Sequence, residues 1–580
     1  MSNSLFRTKS IDSILAQAAA KDAADVEGGH GLKKVLTVKD LTFFGIAAII
    51  GAGSFSSLGG AVFSGGPGVV LLFIICGIAC GFTAFCYAEF ASRVPVAGSA
   101  YTYAYASFGE LLAWIIGWAL LMEYSIGNIY VAFSWSDYFT TLLEKFNINI
   151  PAYLTCSYKE AAKAISNNSN IPDLIAAWNT APQLGGIRLI ADLPALLINV
   201  GITYLVYRGV KESRNFSNVM VTLKLAVVAL VVLVGGYFIY SKDLFANWTP
   251  ANATGIHSFL PNGFGGVLAA VSGVFFAYIG FDAVSVLAEE SKNPQRDLPR
   301  GMIWSLILCT IIYIILTLIL TGAVVYSRFE GIGDPLAFIF EKENLNVNWM
   351  VILVAFCAVI AMTSVLLVFQ MGQPRIWMSM SRDGLLPGAF QKIHPKYRTP
   401  SFATIVTGIV VGVPILFTDK TFVLDFTSIG TLFAFVLVCG GVLLLPAKEK
   451  IPGRFHLPYI NGQYLFPMIL LAVVLLLQTQ SGGYFEELFN GHFDSSGTQL
   501  FFPSKAVKIA SMIFWASTII LSGMTMIKKF SLIPLLGMVS CLYLLTGMSG
   551  LNWEWFFIWF SIGLIIYFLY GYNKSNLNKG

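Results

Sequence analysis

The sequence predicts an all-α polytopic membrane protein, and three observations carry that prediction. The chain of 580 residues is 56% hydrophobic and only 12% charged, more apolar surface than a soluble body of this size has interior to hide. Apolar runs of about 20 residues, the length a helix needs to cross the hydrocarbon layer, recur along its length. The lysines and arginines lie mostly in the short segments between those runs. A formal net charge of +5 therefore gives no sign of a nucleic-acid partner; the expected surroundings are the lipid bilayer.

Taken in order, the apolar runs read as about 14 spans: 41–64, 67–90, 111–135, 191–207, 217–240, 264–290, 302–325, 349–378, 401–418, 428–446, 464–479, 507–527, 531–548 and 552–572. The run 349–378 is long enough to tilt or to extend into the cytoplasm. Before the first span, residues 1–40 are polar and lack the short apolar core of a signal peptide. Ile11, Ile14, Leu15 and Ala18 fall at i, i+3, i+4 and i+7, the pattern of an amphipathic helix on the cytoplasmic surface, although a partly disordered tail fits as well. An inside N-terminus puts most of the 36 lysines and arginines on the cytoplasmic side. Both termini, including the tail 573–580, are then cytoplasmic in a multi-pass protein of the plasma membrane. The long external loop 136–190 carries the sequon Asn167-Asn168-Ser169. Of the eight cysteines only Cys156 falls in a loop, and the five histidines read as loop or interfacial residues. Neither an external disulfide framework nor a histidine-based metal centre is expected.

Spans 1 and 6 depart from the simple pattern. The first contains "AAIIGAGSFSS" (47–57) and the sixth "GVFFAYIGFD" (273–282), with glycines and serines at mid-depth. Interrupted segments at corresponding places in two halves of a membrane chain point to a transporter binding site. Unwinding a helix in hydrocarbon leaves N–H and C=O groups that each cost roughly several kcal/mol if unpaired. The cost is met where those groups bind something polar. Freed N–H groups around Gly51, Ala52, Gly53 and Ser54 suit a carboxylate at a helix N-terminus. Freed carbonyls of Ile49, Phe276, Ala277 and Ile279 suit an ammonium. The two sites side by side are the negative image of an amino acid backbone. The same glycines also fit a simpler purpose, close helix packing.

The segments "LKKVLTVKDLTFFGIAAIIGAGSF", "GGPGVVLLFIICGIACGFTAFCYAEFASRVPVAGSAYTYAYASFGELLAWIIGWALLMEY", "FFAYIGFDAVSVLAEESKNPQRDLPRGM" and "GQPRIWMSMSRDGLLP" resemble the cationic amino acid transporter family of the amino acid–polyamine–organocation superfamily. The likeness covers about residues 30–446, and its motifs occur in family order. It implies a five-plus-five inverted repeat of the LeuT-like kind. Residues 41–240 would form the first repeat, 241–446 the second, and 447–572 four accessory spans. It also implies a substrate carboxylate on the glycine-rich break, an amine on carbonyls of spans 1 and 6, and Phe276 as an aromatic gate. Ser54 and Ser56 depart from the apolar residues usual after "IGAG", which would make the pocket rim more polar.

Three intramembrane charges stand out. Lys224, in "VMVTLKLAVVALVV", reads either as a lysine snorkelling to the inner headgroups or as a buried amine that loads and releases a proton. The resemblance places such a lysine where sodium-driven relatives bind sodium, with Thr363 and Ser364 of span 8 supplying oxygens beside it. The proton is then the coupling ion, with no sodium site and no other cofactor. Glu123, in "WALLMEYS", either faces the pocket and attracts a basic substrate or is a structural partner. Asp282 follows the span 6 break and reads as a cap of the next half-helix. Glu89, Glu289 and Glu290 read as gate or loop contacts, Tyr101, Tyr103 and Tyr105 as an interfacial aromatic cluster, and Trp114 and Trp118 as packing residues.

The function so implied is secondary active import of L-amino acids, cationic or small neutral, proton-coupled and by alternating access. An amino acid or polyamine exchanger is the alternative within transport, and a non-transporting amino acid sensor the alternative outside it. No Ser/His/Asp set, aspartate pair or nucleotide loop marks an enzyme.

Overall fold

The computed structural model describes residues 7–9, 36–51, 53–93, 99–167, 171–209, 214–251, 255, 257–285, 291–397, 399–445, 455–480, 483–490, 502 and 504–578. The amphipathic pattern Ile11–Ala18, Ala52, Glu289, Glu290 and the Asn168-Ser169 part of the sequon lie outside the described residues.

The first span begins as α1 (Val38–Ile49), where the Asp40 carboxylate reaches back to accept the N–H of Thr37 at 2.9 Å. Ile50 is extended and ends it. A single wide turn, Gly53–Ser57, restarts the chain into α2 (Leu58–Gly65). Then follow α3 (Val69–Arg93), α4 (Ser99–Ser107) and the long α5 (Glu110–Lys145). The connection after α5 holds α6 (Tyr158–Ser166), α7 (Pro172–Thr180) and a small hairpin of β1 (Gln183–Leu184) and β2 (Ile187–Arg188). Next come α8 (Leu193–Arg208) and α9 (Arg214–Ser241). The sixth apolar run is broken into α10 (Gly263–Ala269) and α11 (Val271–Phe276), followed by turns through residue 285. The rest is α12 (Pro294–Ala323), α13 (Pro335–Phe338), α14 (Asn348–Arg382), α15 (Ser401–Ile415), α16 (Lys420–Leu444), α17 (Gly462–Gln480), α18 (Tyr484–Asn490), α19 (Lys505–Lys528), α20 (Leu532–Leu545) and α21 (Gly550–Ile566).

Among the described residues nine helical runs are long and apolar enough to cross a membrane, and α8, α15 and α20 are shorter apolar helices. The chain is a mostly helical, multi-pass membrane protein. Two helices outrun their apolar stretch. α5 continues to Lys145, and α16 starts at Lys420 rather than at 428. Hydropathy marks where lipid begins, whereas helical hydrogen bonding continues into the polar zone wherever a cap supports it. Asp419 supplies that cap for α16, accepting the Phe422 N–H at 3.0 Å.

The core is a set of long helix contacts: α5 against α14 and α16, α12 against α3 and α1, and α16 against α20. The accessory helix α21 docks on α5 through two tryptophans. Trp118 Nε1 donates to the Trp559 carbonyl at 2.9 Å, Trp559 Nε1 donates to the Trp118 carbonyl at 3.2 Å, and the rings stack at 4.8 Å. Trp114 and Trp118 are packing residues, as their spacing on one helix face suggests. Tyr101, Tyr103 and Tyr105 are buried rather than interfacial; Tyr103 stacks on Phe90, while Tyr101 and Tyr105 donate to Asp383 and Glu110. Those two carboxylates gather both ends of the chain. Glu110 takes Arg7 at 3.5 Å, and the hydroxyls of Tyr567 and Ser575 donate to it. Asp383 takes Lys9 at 3.1 Å, and its carbonyl accepts the Asn576 N–H at 3.1 Å. The described parts of the N-terminal and C-terminal tails therefore meet on one face.

Candidate functional site

The two interruptions face each other at mid-molecule. A Cβ at Gly53 would stand 2.5 Å from the Ala277 Cα, backbone against side chain with nothing free to give. Gly280 turns the second segment with φ +115°, a conformation open to glycine. The glycines thus serve both purposes read from the sequence: they break the helices, and they let the breaks touch.

Three hydroxyls of the first break are spent on backbone carbonyls, two of them on the break's own. Ser54 Oγ donates to the Gly51 carbonyl at 3.1 Å, and Ser56 Oγ to the Gly333 carbonyl at 2.8 Å. Ser57 Oγ reaches both the Gly53 carbonyl at 2.7 Å and the Gly273 carbonyl at 2.8 Å. All three serines are buried. The expectation that Ser54 and Ser56 make a polar rim is therefore corrected: their hydroxyls are used inside the protein, Ser54 on a carbonyl of its own turn and Ser56 on a loop carbonyl packed against the break. The amide N–H groups behave differently. Among the described residues, no backbone carbonyl accepts from Gly53 or Ser54. That leaves adjacent N–H donors at the start of a helical segment, an arrangement suited to an anion.

The carbonyl side is held by a residue the sequence reading missed. Tyr313 of α12 donates its hydroxyl to Ile49 O at 2.9 Å and to Ala277 O at 2.7 Å. One proton shared between two carbonyls leaves acceptor capacity on both. The Phe276 carbonyl likewise accepts one bond, from the Ile279 N–H at 3.1 Å, and keeps a second lone pair. A buried tyrosine needs a partner for its hydroxyl; a lone tyrosine inside "CTIIYIILTL" was the available signal.

Between the breaks lies a small cavity of about 10 Å³, room for one water. It is lined by Ala48, Ile49, Gly53, Val131, Phe276, Ile279, Val365 and Phe369. Gly51 sits beside it, a Cβ there being 2.6 Å from Val365. Glu123 does not line it. It lies two helical turns along α5 from Val131, roughly 12 Å away at 1.5 Å per residue. It is 3% exposed, with Oε2 unpartnered and with Asp282 and Thr431 as neighbours. Of the two roles read for Glu123, this burial beside Asp282 and Thr431 matches the structural one in the closed cavity. Asp282 stands within reach of the backbone amides of Gly280, Ala283 and its own N–H, as a capping carboxylate does.

Lys224 of α9 is 2% exposed. Its Nζ donates to the Ala47 carbonyl at 3.2 Å and to Ser364 Oγ at 3.0 Å, joining α1 to α14. Ser364 stands where it was expected. The Thr363 hydroxyl is used elsewhere, donating to the Val359 carbonyl at 2.7 Å and accepting Trp135 Nε1 at 3.0 Å. Neighbouring residues on a helix point about 100° apart, so both cannot face one ammonium. Glu89 pairs with Arg93 at 2.7 Å and accepts the Leu457 N–H, a loop contact as read.

Residues 36–521 match the amino acid permease family, and residues 531–575 match the C-terminal part of that permease. The chain belongs to the amino acid permease family. The match runs through both interruptions and through Lys224. This permease is 34% identical to the branched-chain amino acid permease BcaP of Bacillus subtilis (strain 168), over 100% of both chains. It is likewise 34% identical to the methylthioribose transporter of the same organism, again over 100% of both. Identity to the vacuolar cationic amino acid transporter 2 of Arabidopsis thaliana is 30%, covering 99% of this chain and 93% of that one. The resemblance drawn from the motifs therefore extends through the whole chain, and the permease belongs with transporters, not with enzymes.

Outside the spans, a polar cluster covers the far side of the permease's cavity. Lys159 and Lys163 of α6 pair with Asp419 at 3.1 and 2.9 Å. Burial works against the Asp419 anion, but the Phe422 N–H and the two ammonium groups hold its carboxyl below the usual range. Burial pushes the Asp334 carboxyl up to about 8, with Glu341 adding to it and the Thr141 hydroxyl opposing.

Proposed function

We propose that this permease imports L-amino acids across the plasma membrane by alternating access, coupled to protons, with both termini cytoplasmic. The observation that carries the reading is the pairing across one cavity: unengaged amides of Gly53 and Ser54 on one side, and the half-satisfied carbonyls of Ile49 and Ala277 on the other. A carboxylate and an ammonium one carbon apart fit that pair. The interruptions in the first and sixth apolar runs support a five-plus-five inverted repeat with four accessory spans, in which one group of helices rocks about the broken pair.

The side chain favoured is apolar. Ala48, Val131, Ile279, Val365 and Phe369 turn apolar side chains to the cavity, and neither Glu123 nor Asp282 is in its lining. A cationic side chain would lose its hydration there without a counter-charge. The small cavity of about 10 Å³ belongs to a closed state, so the broken segments must part to admit a substrate. Lys224 supplies the coupling: protonated, it ties α1 to α14; deprotonated, it releases them.

Thermal-shift screening of the purified protein tests the substrate, because ligand binding raises apparent stability by mass action. Leucine, isoleucine and valine should shift unfolding more than arginine, lysine or methylthioribose. A response to methylthioribose alone, or to no zwitterion at all, overturns the reading. In proteoliposomes, Lys224→Ala should lose uptake driven by an imposed pH gradient. Unchanged pH-driven uptake in that variant removes the proton role while leaving the amino acid site intact.

A further inference from the structure

Lys420, the first residue of α16, had no place in the substrate site read from the sequence. Its Nζ bonds the Asp137 carboxylate of α5, and its backbone N–H donates to Glu160 Oε1 at 2.9 Å. The same ammonium stands 5.6 Å from the centre of the Tyr130 ring, a cation–π contact. Tyr130 and Asp137 are seven residues apart on α5, two turns along one face. The Tyr130 ring meets the Phe276 ring edge-on at 4.5 Å, and Phe276 lines the cavity. The path from the outer polar cluster to the cavity is therefore one cation and two rings long.

The surroundings fix where this contact sits. A Cβ at Gly333 would collide with the Asp137 carboxylate, so the loop carrying Gly333 lies directly on Asp137. The Gly333 carbonyl in turn takes the Ser56 hydroxyl of the first break. Asp137 thus touches the outer loop, α16 and, through one glycine, the broken first span. The Lys420 and Asp137 side chains keep 20% and 31% of their exposure, so water reaches the pair without passing the rings.

We propose that Lys420 is a positioning residue for the outer ceiling of the cavity: its ion pair with Asp137 holds Tyr130 against Phe276 and parts when the outer mouth opens. This rests on the transport reading above, but its test does not require the substrate to be known. Val131 lines the cavity beneath the ceiling, and the eight native cysteines are buried. A Val131→Cys reporter in proteoliposomes, labelled from the outer side by a membrane-impermeant thiol reagent, therefore reads opening of the mouth.

Relative to the reporter alone, Lys420→Gln and Asp137→Asn should each label about tenfold faster, the size of one direct coupling between contacting charges. The double variant should label no faster than either single one. Lys420→Arg should restore the slow rate. Should Lys420→Gln not fold, the reversed pair Asp137→Lys with Lys420→Asp carries the test and should label slowly. Rates equal to the reporter's, or a double variant whose acceleration is the product of the two, overturn the proposal. If the reporter protein labels as expected while no amino acid shifts the wild-type melting temperature, the transport reading fails and the ceiling stands.

Discussion

The two broken segments solve the same problem by different means. The first, at Gly51–Ser57, draws mainly on its own hydroxyls: Ser54 and Ser57 donate to carbonyls three or four residues back, Ser56 reaches a neighbouring loop, and Tyr138 of α5 adds a donor to the Phe55 carbonyl. The second, at Ala277–Gly280, has no serine or threonine. Its Ala277 carbonyl depends on the Tyr313 hydroxyl from α12, and the same hydroxyl is shared with Ile49 of the first break. A break that satisfies most of its own carbonyls holds its shape locally. A break that borrows its donor is coupled to the helix that lends it, and its carbonyls are the ones with capacity left for a ligand ammonium. The first break therefore suits a fixed anion site, and the second a site that changes with its partner.

The largest way to disturb this arrangement is to separate the two breaks. Gly53→Ala places a methyl 2.5 Å from the Ala277 Cα, and overpacking against backbone costs roughly 1–3 kcal/mol. Uptake should be abolished and the unfolding temperature lowered. Gly60→Ala, where a Cβ meets nothing within 4 Å, should leave both unchanged.

Next in size is Tyr313→Phe, which removes the shared donor and leaves two buried carbonyls short, at about 1–3 kcal/mol. If the second break is the borrowed one, the substrate ammonium should partly replace the missing hydroxyl. The ligand-induced rise in unfolding temperature should then be larger in Tyr313→Phe than in wild type. An equal or smaller rise would place the ammonium elsewhere.

Ser57→Ala should cost more than Ser54→Ala, since Ser57 serves two carbonyls and Ser54 one. A loss of about 1 kcal/mol is expected for the first and less for the second, measured by thermal unfolding. Equal losses would show that the link from Ser57 to Gly273 contributes little.

The last effect is a pH dependence, and it comes from the loop that holds Ser56. Next to Gly333, Asp334 has its carboxyl raised from 3.8 to about 8. The folded chain binds that proton more tightly than the unfolded one, so its stabilising contribution is complete below about pH 4 and is lost as pH rises to about 8. Wild-type unfolding temperature should fall over that window more steeply than that of Asp334→Asn. Parallel pH profiles would remove Asp334 from the account.

The legible parts of this protein were those governed by local chemistry in lipid. Glycines at mid-depth of two apolar runs announced the interruptions, because a helix in hydrocarbon gives up hydrogen bonds only for a reason. A lysine inside a span left snorkelling and burial open; the resemblance put Ser364 beside it, and Ser364 is one of its acceptors. What failed were statements of direction. Ser54 and Ser56 were expected at the rim and turn inward; Thr363 was expected beside Lys224 and accepts Trp135 instead; Glu123, open between pocket and packing, is buried outside the cavity lining. Helical spacing says which residues share a face, but the rotation of that face is set by every neighbour packed against it.

By itself, the sequence determined that the chain is a multi-pass helical membrane protein and where its first and sixth apolar runs are interrupted, since both follow from the cost of apolar surface in water and of bare peptide groups in lipid. Only the tertiary structure decided that Tyr313 joins the two breaks, that the side chains lining the cavity are apolar, and that Lys420 stands over Tyr130. Those contacts bring together residues from helices far apart in the chain, and no local pattern records which of them will meet.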